Sequence, residues 1–152
     1  MRMHLQSIRA LAFAALGAGL LVCTATASDK AILTLVERAT SDTVADIGKK
    51  GDSVGDILAF ANEIYDQANV TLVGRDNGWC VRTVVGKAWE CIWTVSLDKG
   101  QITVEGPFYD TADSMLAITG GTGKYANAHG EMNLHARDAK GSAYDFAFNL
   151  SH

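Results

Sequence analysis

The sequence predicts an all-β fold, an eight-stranded antiparallel up-and-down barrel that follows an N-terminal export signal. Three observations carry this expectation. From residue 31 onward, short apolar runs recur between turn signals, about eight of them and mostly in meander order. Several of these runs alternate apolar and polar residues with the period of a strand. Proline occurs once, at Pro107, while glycines punctuate the chain throughout. Closure into a barrel then removes the unpaired edges that a lone sheet would present, and eight strands leave room inside for side chains or one small ligand.

The first 27 residues stand apart. Arg2 and Arg9 give a positive start, an apolar run covers 10–22, and Ala25-Thr26-Ala27 supplies the small-x-small exit of a signal peptide. The apolar run is shorter than the ~20 residues a membrane span needs. Val22 before Cys23 is a poor match to a lipidation site. The expectation is a signal peptide at 1–27, removed after Ala27, and one domain at 28–152, secreted or periplasmic, with no stable membrane insertion. The whole chain has 13 basic and 17 acidic residues. Loss of Arg2 and Arg9 leaves 11 against 17, a net charge of −6. Binding to nucleic acid requires a basic footprint, so that class is excluded.

The elements follow in order. Residues 31–37 (AILTLVE) read as a first strand and 39–56 as a polar, glycine-containing loop. Residues 57–65 suit a helix or a strand equally, since a short apolar run does not decide between them. Residues 70–73 are extended, Asp76-Asn77-Gly78 is a turn signal, and 79–85 is a strand. A tight turn at Gly86-Lys87 leads into 89–97, and Asp98-Lys99-Gly100 turns the chain again. Strands at 101–106 and 114–119 precede a glycine-rich corner at 120–123. Residues 129–137 and 142–150 form a closing hairpin. Trp89, Cys91, Trp93 and Val95 share one strand face, and Tyr144, Phe146, Phe148 and Leu150 form a second apolar row. Which face lines the lumen is open at this level.

Cys23 leaves with the signal, so Cys80 and Cys91 remain. They lie on adjacent predicted strands and roughly opposite each other across the turn at Gly86. In an oxidising compartment this favours a cross-strand disulfide. Other patterns fail on spacing. Gly120–Lys124 lacks the Gly-x4-Gly-Lys-Ser/Thr arrangement of a phosphate-binding loop. His129, Glu131, Asn133 and His135 share a strand face, but the two histidines are ~20 Å apart, so one ion could not collect them and no metal site is expected. No nucleophile elbow is present.

Three blocks carry a resemblance: GDILAFANEIYD at 55–66, GPF at 106–108 and LAITGGTG at 116–123. In this order and spacing they resemble the allene oxide cyclase barrel, a calycin-like relative of the dirigent proteins, over about residues 33–150. The resemblance implies a hydrophobic cavity, homo-oligomers (trimer or dimer) and no cofactor. It further implies an isomerase that folds a flexible apolar substrate so that one cyclised stereoisomer forms. On that basis Glu37 matches the family's cavity carboxylate, which stabilises positive charge on an opening epoxide. Asn62, Cys80 and Phe108 match substrate-binding positions: an asparagine that helps hold a water, a cavity cysteine and a cavity tyrosine. The family's free cavity cysteine is the competing reading for Cys80. A second family asparagine is Ala39 here, the loop's Ser-Pro pair is absent, and Phe108 lacks the hydroxyl. From spacing alone Glu37 would more readily end its strand in solvent, because Glu is seldom buried unpaired.

The function expected is therefore an exported barrel that steers cyclisation or isomerisation of a flexible hydrophobic small molecule. The alternatives are a non-catalytic barrel that carries a lipid or secondary metabolite, and a dirigent-like protein that steers coupling by a partner oxidase.

Overall fold

In the computed structural model, residues 31–151 are described. The expected signal peptide at 1–27 lies outside these residues. Ten strands form one antiparallel sheet: β1 (Ala31–Arg38), β2 (Thr43–Ala45), β3 (Ile57–Phe60), β4 (Glu63–Asp66), β5 (Leu72–Val84), β6 (Ala88–Leu97), β7 (Gly100–Tyr109), β8 (Ser114–Gly121), β9 (His129–Ala136) and β10 (Ala143–Ser151). Their order is β2-β3-β5-β4-β1-β10-β9-β8-β7-β6, and the β5–β6 pairing closes the ring. β3 and β4 lie end to end along one side of β5 and together make a single stave. With β2 outside β3, the closed barrel has eight staves.

The two apolar rows both face the lumen. Trp89, Cys91, Trp93 and Val95 on β6 meet Phe146, Phe148 and Leu150 on β10, with Ile102, Val104, Leu116, Ile118, Met132 and Leu134 between them. Trp93 packs against Phe146 with ring centroids 5.8 Å apart. The outward positions of β6 are less buried, as the period of two requires. One end of the lumen is filled by the 3-10 turn Gly123–Tyr125, whose Tyr125 joins the core with Ala128.

The structure corrects the sequence reading at three places. Asp76-Asn77-Gly78 is not a turn but the middle of the 13-residue strand β5. The reason is packing: a Cβ on Gly78 would stand 2.3 Å from Trp93 Cβ, so glycine is required where β5 crosses the largest side chain of β6. The 39–56 loop contains the short strand β2. The ambiguous 57–65 segment is two strands, interrupted at Ala61-Asn62. There the Asp76 amide donates to the Asn62 carbonyl (3.0 Å), and Asp76 Oδ1 accepts the Asn62 amide N–H (3.0 Å). A side chain thus replaces one rung of the ladder and Asn62 turns inward.

The mouth end is tied by Arg82. Its guanidinium stacks on Trp89 at 3.9 Å, pairs with Asp52 at 2.7 Å and bonds both oxygens of Asp110 at 2.8 Å. The Arg82 main chain also exchanges hydrogen bonds with Gly55 and Asp56. Asp56 in turn accepts the amides of Ile47 and Ser53, both at 2.8 Å. These bonds hold its carboxyl below the usual range and fix the 46–56 loop against the barrel rim.

Candidate active site

On β1 the lumen-facing residues are Leu33, Leu35 and Glu37. Strand pairing continues to Arg38, so Glu37 does not leave for solvent. It pairs with Tyr144 on one side and Ile64 on the other, and is 5% exposed. Asn62 donates from Nδ2 to Glu37 Oε1 at 2.8 Å. The same amide nitrogen donates to Asp42 Oδ1 at 2.8 Å, and Asn62 Oδ1 accepts the Thr40 and Ser41 amides and the Ser41 hydroxyl. Both amide protons and the amide oxygen are therefore engaged with protein. Asn62 stands behind Glu37 and orients it.

Asp76 completes the arrangement. It is 1% exposed, and its carboxyl is electrostatically coupled to that of Glu37. Two coupled carboxyls in a desolvated site resist ionising together. Burial first, and then the charge of Asp76, hold the Glu37 carboxyl well above its usual range. Burial is also the main cause that lifts Asp76 to about 6. Among the described residues, Asp76 Oδ2 is buried without a hydrogen-bond partner, and a proton on Glu37 would satisfy it. Both shifts disfavour the doubly ionised pair. Tyr144, half-buried beside them, is pushed up to about 12 by burial first and then by the surrounding carboxyl groups.

Glu37 opens into an inner chamber of about 50 Å³. Trp93, Phe60 and Phe146 form its aromatic wall, Leu58 and Leu134 its aliphatic wall, and Asp42 reaches it from the loop. The Cys80–Cys91 disulfide is formed between register partners and lies in this wall. The free-thiol alternative for Cys80 is thus replaced, yet Cys80 still borders the cavity. Phe108 and Tyr144 meet edge to face at 5.9 Å. They border both the inner chamber and an outer vestibule of about 440 Å³ between the β7–β8 and β9–β10 turns. The vestibule is of the size that holds a small organic ligand, and the inner chamber is much smaller.

Sequence reasoning placed Glu37, Asn62, Cys80 and Phe108 separately, and all four border or support this one cavity. It missed Asp76, Asp42 and the role of Tyr144. Asp76 was hidden by its turn-like neighbours, although counting back by twos from Cys80 puts it on the lumen face. The polar row His129, Glu131, Asn133 and His135 points outward, with His135 bonded to Asp113 at 2.7 Å.

The allene oxide cyclase family matches residues 31–137. The chain belongs to the allene oxide cyclase family. Among solved structures, a pyocyanin demethylase is 31% identical to it, covers 78% of this chain and 100% of its own, and superposes with a TM-score of 0.67. The pterocarpan synthase dirigent protein GePTS1 shares the fold at 12% identity, with 92% and 97% coverage and a TM-score of 0.69. The Diels-Alderase AbmU from Streptomyces koyangensis shares it at 13% identity, with 82% and 69% coverage and a TM-score of 0.63. The allene oxide cyclase barrel is thus a scaffold that cyclases and dirigent proteins have in common.

Proposed function

We propose that this chain is a small-molecule isomerase or cyclase that binds an apolar, ring-containing or ring-forming substrate in the barrel and moves a proton at Glu37. The observation that carries the reading is the Glu37–Asp76 carboxyl pair beside an aromatic cavity. A protonated carboxyl in an apolar wall is a general acid, and its conjugate base lies one proton away. This differs from the purely electrostatic role that the family resemblance gives Glu37, because a neutral carboxyl donates rather than stabilises a cation. Asn62 and Asp76 position the group, the aromatic walls select the substrate conformer, and Phe108 with Tyr144 screens the chamber from the vestibule.

The 31% identical relative makes pyocyanin a rational first ligand to try. An allene oxide generated in place is the second. Conversion of either by the wild-type protein, lost in Glu37→Gln, supports the reading. Equal rate and equal product in Glu37→Gln would refute it. The saturated amide of Asn62 favours a second reading, a carrier without turnover, since that amide is not free to hold a catalytic water. Retention of an unchanged co-purified ligand, detected by mass spectrometry, would support the carrier. We also propose export and assembly of identical subunits. The disulfide supports the former, and the half-exposed Trp79 and Leu72 on the outer wall support the latter.

A further inference from the structure

We infer that Trp93 is a ligand-binding residue whose indole N–H donates to a neutral oxygen acceptor, such as a carbonyl, on the part of the ligand that enters the inner chamber. The inference rests on the small-molecule reading above and adds to it a specificity-determining residue in the wall of the same site. Its basis is a contrast between tryptophans. Trp89 donates from Nε1 to Asp110 at 3.1 Å. Trp79 stands half-exposed on the outer wall, in reach of water. Trp93 is 3% exposed and borders the inner chamber. Its Nε1 is buried without a hydrogen-bond partner among the described residues. Buried indole N–H groups usually find an acceptor, and one that finds none within the protein calls for a specific reason.

The neighbours of Trp93 explain why no side chain supplies that acceptor. Its register partners are Gly78 on β5 and Val104 on β7. Phe60 and Phe146 pack against its ring, with centroids 5.9 and 5.8 Å away. None of these neighbours carries a polar side-chain atom, and the close approach of Trp93 Cβ keeps position 78 a glycine. The indole therefore places one donor in a wall that is otherwise apolar on this side. The chamber lining is apolar apart from Trp93, Glu37, Asp42 and Tyr144. An oxygen that bonds Trp93 exchanges a bond to water for one to protein, whereas a hydrocarbon in its place leaves the N–H unpaired. With a volume of about 50 Å³ the chamber admits a small polar group, and the vestibule of about 440 Å³ takes the larger part of the ligand.

Acetophenone and α-methylstyrene test this, because they match in shape and differ in carrying C=O or C=CH2. Each is titrated into the full protein and followed by the indole signals in proton–nitrogen correlation spectra. Acetophenone is expected to move the Trp93 indole proton downfield and to leave that of Trp89 in place. The alkene should bind without that downfield move. The affinity ratio of ketone to alkene should fall on the order of tenfold in Trp93→Phe. If that variant does not fold, the wild-type spectra decide alone, with the Trp93 signal assigned through its bonds to the backbone. An equal movement of the Trp93 signal with both probes, or a ratio unchanged in Trp93→Phe, overturns the inference. In that case binding of either probe would leave the proposed function standing. If neither binds, the small-molecule reading fails and the inference fails with it.

Discussion

Replacing Asp76 by Asn removes one member of the buried carboxyl pair while keeping its shape. The amide oxygen can still accept the Asn62 N–H, as Asp76 Oδ1 does at 3.0 Å. The amide nitrogen takes the place of the oxygen that faces Glu37. In the wild-type protein Asp76 is lifted from 3.8 to about 6, so the folded state holds its proton more tightly than the unfolded chain. Such a group stabilises the fold fully below the unfolded value and loses that contribution as pH rises through the folded value. Wild-type stability should therefore fall from about pH 4 upward through pH 6, and Glu37, also raised by burial, contributes in the same direction. The rise from 3.8 to about 6 corresponds to about 3 kcal/mol for Asp76 alone. Denaturant melts at intervals between pH 4 and pH 8 measure this. Asp76→Asn should match the wild type near pH 4 and exceed it by up to about 3 kcal/mol at pH 8, with a flatter profile between. Turnover should fall, because the new N–H favours ionised Glu37. A variant that is less stable than wild type at pH 8, or that keeps the wild-type slope, would show that the two carboxyls do not share a proton.

Three further outcomes follow from the same geometry. Glu37→Gln can donate to Asp76 and accept from Asn62, so its melting should change little while any turnover drops by about 10²- to 10⁴-fold in a steady-state assay. Gly78→Ala places a methyl 2.3 Å from Trp93 Cβ and should destabilise by about 1–3 kcal/mol in denaturant melts, with weaker ligand binding as Trp93 shifts. Arg82→Ala removes the stacking on Trp89 and the pairs with the exposed Asp52 and Asp110 and should destabilise by about 1–2 kcal/mol, with hydrogen exchange in 46–56 accelerating ahead of the barrel strands.

Much of the barrel was legible because its strands alternate cleanly. Trp89-Cys91-Trp93-Val95 and Tyr144-Phe146-Phe148-Leu150 are lumen rows in the structure as they are rows in the sequence. The cysteine pair was legible because a tight turn fixes register, and register partners on a hairpin are the residues a disulfide can join. The site was harder to read. Glu37 and Asn62 could be singled out only through the family resemblance, since a glutamate at the end of a strand ordinarily faces water. Asp76 escaped because Asp-Asn-Gly carries strong local turn preference, and only the contact of Gly78 with Trp93, distant in sequence, overrides it. Asp42 escaped because a loop's position is set by tertiary bonds, here those of Asn62, and not by periodicity. Local rules fail here at the residues that build the cavity, where a fold departs from its own regularity to place a functional group.

The central claim is that Glu37 holds a proton at neutral pH inside the cavity. Infrared spectroscopy of the protein in heavy water reads it directly, because a protonated carboxyl has a carbonyl stretch well separated from that of carboxylates. At pH 7 the wild-type protein should show this band and Glu37→Gln should lack it. A wild-type spectrum with carboxylates alone, or a band that survives in Glu37→Gln, would contradict the account.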